Sequence, residues 1–504
     1  MAGARRRAAL AGARKSVGHT QESLAAALHV DRSTVIRWEA GDQAPLPYLR
    51  PKLARLLDQS TDQLRELIEN DSDVWPVDFG ARPDLGAAFD WLDRHAGWSP
   101  GTSRGKVTAS LGSVDKRALF DRHGRRAKAG RSDVAEALSD YYGDSRNHGV
   151  GAYRVRVDAR VVLTSVATRP EWLDLACLLT PEHDRLMLAR SSDDRPVEMD
   201  DLAAKYAVRR LAEVAAFDVR LTDAPIYRLL NLDIQRGAIG GDVGLSRFVE
   251  YALTMDLLEG ELLDAIVSGV APTPSSLPLR DRYLPDLDSV LNMSSRLCAG
   301  GVVALCAIAR PADPYRGAAD YVLLVQERSG HVVNAARQLA VIPKGFHKPL
   351  SDHRADAQVS ATLRREMEEE LFGRSDIDTT VSRYVAAAPM HQSRLSEPMR
   401  WLAGVPDALR MECTGFGLNL VSGNYEFAAL VVIEDDEFWN RYGGHIEANW
   451  ESAGLRLYSS LDRELLADLV ADDRWSNEGL FAFLLGLRRL KELGERCVDL
   501  PAME

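Results

Sequence analysis

The order of apolar and polar positions divides the chain into stretches of different period. Over the first 70 residues apolar side chains recur three and four apart, the spacing of helices with one buried face. Residues 4–15 read as an Ala/Arg-rich helix with Leu10 and Ala13 on one side. Leu24, Ala25 and Leu28 make the core face of a second helix that Thr20 can cap. Val35 and Trp38 turn inward from a third that Asp31 can cap. Pro47 and Pro51 suit the opening turns of a fourth helix, where a missing amide donor matters least, with Leu53, Leu56 and Leu57 inward. Ser60-Thr61-Asp62-Gln63 is a capping box for a fifth. The pattern predicts an all-α, five-helix domain over residues 1–70.

Residues 70–83 are rich in Asp, Pro and Gly and read as a linker. The middle region, 84–268, mixes α and β periods. Residues 152–157 and 160–164 alternate like a hairpin, while 199–216 and 245–268 look helical. Pro272, Pro274, Ser275, Ser276, Pro278 and Pro285 mark 269–285 as a second linker. Beyond it come continuous apolar runs typical of buried strands, at 302–309, 321–326, 339–342 and 427–433. Helical patterns lie at about 356–372 and 476–493, so residues 286–504 are expected to form an α/β layered domain. No internal repeat is visible. The expected plan is three domains, at 1–70, 84–268 and 286–504.

Composition adds class limits. Apolar content of 46% and charged content of 27% are ordinary for a soluble globular protein. No apolar run reaches the roughly 18 residues of a membrane span. The basic N-terminus lacks an apolar segment, so no secretory signal is expected. The five cysteines stand far apart without a CxxC pair, which suits reduced thiols in a cytosol rather than a structural zinc site. Charge is lopsided: residues 1–57 carry +6 and residues 58–504 carry −18, for a net charge of −12. A basic head on an acidic body suits a protein that meets a polyanion at one end only.

The third helix would show Arg32, Ser33 and Arg37 to solvent, with Thr34 beside them. An arginine there can bond guanine O6 and N7 together, worth about 1–3 kcal/mol of discrimination. Arg14, Lys15 and Arg50 are candidates for phosphate contacts, which position a duplex without specifying it. Thr20-Gln21-Glu22-Ser23-Leu24-Ala25, Val30-Asp31-Arg32-Ser33-Thr34-Val35 and Arg37-Trp38-Glu39-Ala40-Gly41 together resemble the Cro/phage-repressor-type helix-turn-helix family, often called XRE. The resemblance implies that the third helix lies in the major groove of double-stranded DNA. Arg32, Ser33 and Arg37 would then face base edges, and Gln21 would meet a phosphate. His29 stands at the turn where the family often has Gly, and histidine tolerates a left-handed backbone. One such module touches few bases, so a homodimer on a palindrome is expected.

A second constellation lies in Arg365-Glu366-Met367-Glu368-Glu369-Glu370-Leu371-Phe372-Gly373. On an α-helix Glu366, Glu369 and Glu370 share a face, with Val359, Leu363, Met367 and Leu371 opposite. Converging carboxylates suit a hard cation such as Mg²⁺ or Mn²⁺; a solvated acidic face is the plainer alternative. The segment, with Tyr321–Arg328 and Ile342-Pro343-Lys344-Gly345 before it, resembles the Nudix family over about 298–495. The resemblance implies a Nudix-like sandwich, with Glu366, Glu369 and Glu370 on the metal, Arg365 orienting them, and Glu426 as a further candidate. Three departures stand out. Gly345 precedes Arg365 by twenty residues, about six more than the resemblance calls for. Ala357 stands where an upstream Glu belongs, and Phe372 where a Gly does. A domain that binds a nucleotide-like molecule without turning it over is therefore expected. The alternative is a Mg²⁺-dependent hydrolase of a nucleoside-diphosphate compound, with Arg365 and Glu366 in the catalytic set. Two weaker features are a basic loop at 123–131 and a Gly-rich run at 237–244, each able in principle to hold phosphate.

Overall fold

Four helices open the chain: α1 (Ala8–Ser16), α2 (Gln21–Leu28), α3 (Arg32–Ala40) and α4 (Arg50–Leu56). They follow the predicted spacing closely. Leu10, Leu24, Ala25, Leu28, Val35, Trp38, Leu53 and Leu57 form one buried cluster, with Ala13 and Leu56 packed on its edge. Thr20 caps α2 through Oγ1, which accepts the Ser23 amide at 3.0 Å. Pro51 stands in the first turn of α4, as its missing donor allows.

The computed structural model describes residues 8–17, 19–28, 30–40, 43–46, 49–57, 59, 64, 79, 82–113, 116–143, 149–190, 199–217, 219–328, 338–373, 389–443, 452–494 and 497–504. The expectations for His29, Pro47, the capping box at 60–63 and most of the linker at 70–83 lie outside them. The chain divides into two compact units. The first takes residues 1–76 with 111–125, and the second takes 77–110 with 126–504. The basic loop expected at 123–131 is instead the end of a helix, α5 (Lys116–Arg126), and the start of another, α6 (Arg131–Tyr142).

In chain order the strands of the second unit are β1 (Gly151–Val157), β2 (Arg160–Thr168), β3 (Leu173–Leu178), β4 (Asp184–Leu188), β5 (Pro225–Gln235), β6 (Ala238–Arg247), β7 (Gly300–Arg310), β8 (Asp320–Arg328), β9 (Leu339–Val341), β10 (Lys344–Phe346), β11 (Leu409–Asn419), β12 (Asn424–Ile433) and β13 (Ser452–Ser459). Ten of them form one mixed sheet in the order β1-β2-β11-β12-β7-β8-β13, with β3, β9 and β10 pairing on its flanks. β7 and β12 run parallel, Ala304 opposite Ala429. Helix α11 (Asn477–Gly494) covers one face of this sheet, over Val303, Leu305, Ala307, Leu323, Val325, Leu430 and Val432. Gly486 lets the helix come that close: a Cβ there would lie 2.8 Å from the Cβ of Leu305.

Two expectations about organisation fail here. The segments 84–268 and 286–504 do not build separate sheets, because β2 pairs with β11 through Ala167 and Leu418, and β3 pairs with β11 through Cys177 and Cys413. Nor is 269–285 a free linker. It contains helix α9 (Pro278–Tyr283), begun by Pro278, with Leu277, Leu279 and Leu284 fully buried. Arg280, also fully buried, donates to the carbonyls of Leu420 and Val421. Proline there starts a packed helix rather than stiffening an exposed tether.

Smaller differences have local causes. Helix α7 (Asp201–Ala216) matches its prediction, capped by the Asp200 side chain on the Ala203 amide. The helix expected at 245–268 begins only after β6 ends at Arg247, and its main part is α8 (Leu257–Val267). The Gly-rich run at 237–244 is the turn and strand of the β5–β6 hairpin in a second, three-stranded sheet ordered β4-β6-β5, so it is not a phosphate loop. A Cβ at Gly241 would lie 2.4 Å from the Asn231 carbonyl of the facing strand. The five cysteines are free thiols.

Candidate nucleic-acid interface

Helix α3 has an inner and an outer side. Val35 and Trp38 are buried, whereas Arg32, Ser33, Ile36 and Arg37 are exposed and Thr34 is half-buried. The outer stripe therefore runs through positions 32, 33, 36 and 37, spaced as one helical face. Arg37 lies back along its own helix, donating from Nε to the Ser33 carbonyl at 3.2 Å and from Nη2 to Ser33 Oγ at 3.4 Å. These contacts are exposed and weak, so the guanidinium is free to exchange them for a base edge.

Behind α3, Glu39 holds the helices together. Its Oε1 accepts Arg14 Nε at 2.6 Å, and its Oε2 accepts Gln21 Nε2 at 2.8 Å and Arg14 Nη2 at 3.3 Å. Arg14 also donates to the His19 carbonyl at 2.7 Å. Burial pushes the Glu39 carboxyl upward, but the bonds from Arg14 and Gln21 and the Arg14 charge outweigh it and hold its pKa below the ordinary value. One carboxylate thus fixes α1, α2 and α3 relative to one another.

This geometry changes the reading of Arg14. From the sequence it is a phosphate contact; in the structure it is buried and its donors serve Glu39 and His19, so it positions α3 instead of reaching outward. Gln21 is half-buried with its amide turned to Glu39, at the first turn of α2. Lys15 is exposed. Arg50 is half-buried, with Nε on the Pro45 carbonyl at 3.0 Å. Arg14, Lys15, His19, Thr20, Gln21, Glu22 and Arg32 line an open cleft. Two exposed cations beside the amino end of α2 give that cleft the chemistry of a phosphate seat.

Ile36 is a candidate for this face that the sequence reading missed. It is 41% exposed between the inward Val35 and the basic stripe. The available signal was its position, three residues after Ser33 and four after Arg32. An apolar side chain there suits the C5-methyl of thymine.

The carboxylate helix lies in the second unit. α10 (Val359–Glu366) passes into a single π-helical turn, Met367–Leu371, so the α-helical spacing that would align Glu366, Glu369 and Glu370 is broken. Val359, Leu363, Met367 and Leu371 are buried as expected, but so are all three glutamates. The Glu366 carboxylate takes Arg365 Nη2 at 2.7 Å and packs against Gly345, where a Cβ would lie 2.0 Å from its Cδ. Glu370 Oε2 accepts the Lys344 amide at 2.7 Å, and Glu368 Oε1 the Ser396 amide at 2.7 Å. Arg365 also donates to the carbonyls of Phe346 and Lys348, each at 2.9 Å.

Nearby, Lys344 Nζ pairs with Glu478 at 2.5 Å, and burial with the charge of Glu478 pushes the Glu426 carboxyl up to about 8. Among the described residues no three His, Cys, Asp or Glu side chains are grouped to hold a metal. Glu366 is engaged by Arg365 and Glu370 by the Lys344 amide, an arrangement that does not fit the convergent Mg²⁺ or Mn²⁺ site expected from the sequence.

Residues 10–64 match the model of the helix-turn-helix family. The match spans α1 to α4 and marks a DNA-binding head. No curated protein matches the chain. Among the described residues no helix is long and apolar enough to cross a membrane.

Proposed function

We propose that this chain is a sequence-specific, DNA-binding transcriptional regulator. The observation that carries the reading is the outer face of α3: Arg32, Ser33, Ile36 and Arg37 exposed on a helix fixed from behind by Glu39, Arg14 and Gln21. A rigid helix with outward guanidinium groups is what major-groove readout requires. The proposal includes pairing of two copies on a palindrome, since one head reaches few bases.

We further infer that the second unit, with its Nudix-like stretch over 298–495, tunes DNA affinity by binding a nucleotide-like molecule. The engaged carboxylates favour this over hydrolysis, because a turnover site would need them available to a cation and a phosphate.

Selection of bound duplexes from a random pool, followed by equilibrium titration at several salt concentrations, tests the first part. A recovered palindrome whose affinity falls steeply with salt is expected. Arg37→Ala should flatten the preference while leaving much of the non-specific binding. No duplex bound at low salt would overturn the reading. Repeating the titration with ADP-ribose, NAD and nucleoside diphosphates tests the second part. Unchanged affinity across that panel removes the sensing role, and Mg²⁺-dependent release of a nucleoside monophosphate, or of phosphate from the nucleoside diphosphates, would favour the hydrolase.

A further inference from the structure

We propose that helix α5 is a second DNA-contacting element, which grips phosphates flanking the site read by α3. The inference rests on the DNA-binding reading of the head and extends it to a segment that sequence order assigns elsewhere.

Three observations meet in α5. Residues 111–125 belong to the same compact unit as residues 1–76, although some 35 residues of the other unit separate them in sequence. Their charge suits a polyanion: residues 116–125 hold Lys116, Arg117, Arg122 and Arg125 against the single acid Asp121, in a chain with net charge −12. The first turn of α5 contains no acidic residue.

The contrast between Arg125 and Arg126 sharpens the point. Arg126 belongs to the second unit, where Asp264 takes its Nε at 2.7 Å and Glu213 its Nη1 at 3.2 Å. Its neighbour Arg125, in the first unit, is exposed and makes no ion pair among the described residues. Leu111 and Leu119 are buried, so the segment is anchored and not a loose arm. A basic, anchored helix in the unit that carries the reading head fits the sugar-phosphate backbone: it offers charge without base-specific chemistry.

The test uses the full-length chain and duplexes with and without the selected site. The triple variant Lys116→Gln, Arg117→Gln, Arg125→Gln should weaken both complexes by about the same factor. It should also lower the slope of log affinity against log salt by about 0.9 for each phosphate contact removed. The ratio of specific to non-specific affinity should hold within about twofold. The charge-preserving variant Arg117→Lys, Arg125→Lys should keep the wild-type slope, which guards against loss of folding as the cause. If the triple variant keeps the wild-type slope and affinity while Arg37→Ala still flattens the preference, α5 makes no contact and the reading of α3 stands. If the triple variant erases the preference itself, α5 supports the head and not the phosphates, and the proposal falls. If wild-type protein binds no duplex, both readings fall together.

Discussion

Replacing Glu39 by alanine tests how the reading helix is held. The carboxylate accepts three side-chain hydrogen bonds, two from Arg14 and one from Gln21. Without it, the Arg14 guanidinium stays buried with the His19 carbonyl as a remaining acceptor at 2.7 Å. Breaking one side of a buried ion pair costs about 3–5 kcal/mol. Arg14 and Glu39 are 6% and 7% exposed, so water reaches the edge of the pair and the lower end, about 3 kcal/mol, applies. That is roughly a hundredfold rise in the open population of the head.

Hydrogen exchange on the full chain, read in peptides from residues 10–57, should show that loss, while peptides from β7 and β12 keep their protection. Acid should bring the variants together. Because the folded carboxyl sits below its ordinary pKa of 4.5, the stabilisation is complete above that value and is lost as pH falls through the lower folded value. The gap between wild type and Glu39→Ala should therefore close on acidification. Two results would refute the argument: a change in protection under about threefold, or strict additivity of Arg14→Ala and Glu39→Ala in the double variant.

Other perturbations have equally definite outcomes. Ile36→Ser should cost about 0.8 kcal/mol, near fourfold, for duplexes with thymine at one position and nothing for those without it, as competition binding would show. Gly345→Ala should force Glu366 away from Arg365 and lower the melting temperature by an amount matching about 1–3 kcal/mol, since the added Cβ would lie 2.0 Å from the Glu366 Cδ. Glu412→Ala should cost about 1.5–3 kcal/mol at neutral pH, because the buried Glu412 accepts from Arg410 at 2.7 Å and Arg489 at 2.6 Å, while both arginines reach solvent and stay hydrated without it. Burial pushes that carboxyl up, but the bonds from Arg489 and Arg410 outweigh it and hold it low. Denaturation curves should accordingly converge with wild type as pH falls below the ordinary carboxylate range.

The head was legible because its information is local. Leu24, Leu28, Val35 and Trp38 recur at helical spacing, and their caps and turns lie within a few residues. The charged stripe on α3 could be read for the same reason. Arg14 was misplaced because its partner, Glu39, lies 25 residues away, and no local pattern says which exposed-looking arginine folds inward. The same limit hid the large sheet. β2 meets β11 across some 250 residues, so each strand could be recognised while its neighbours could not. The π-helical turn was invisible in a pattern whose apolar positions obey the α-helical period, yet it decides where three glutamates point.

The pairing of β2 and β3 with β11 has a practical consequence for anyone dissecting the chain. The proline-rich stretch before residue 286 invites a cut, yet a fragment begun there would lose β2 and β3 and leave the edge of β11 away from β12 bare. Such an edge recruits strands from other copies, so the fragment should come out as aggregate or inclusion body. A usable truncation removes only the residues before 77 and keeps everything from 77 onward.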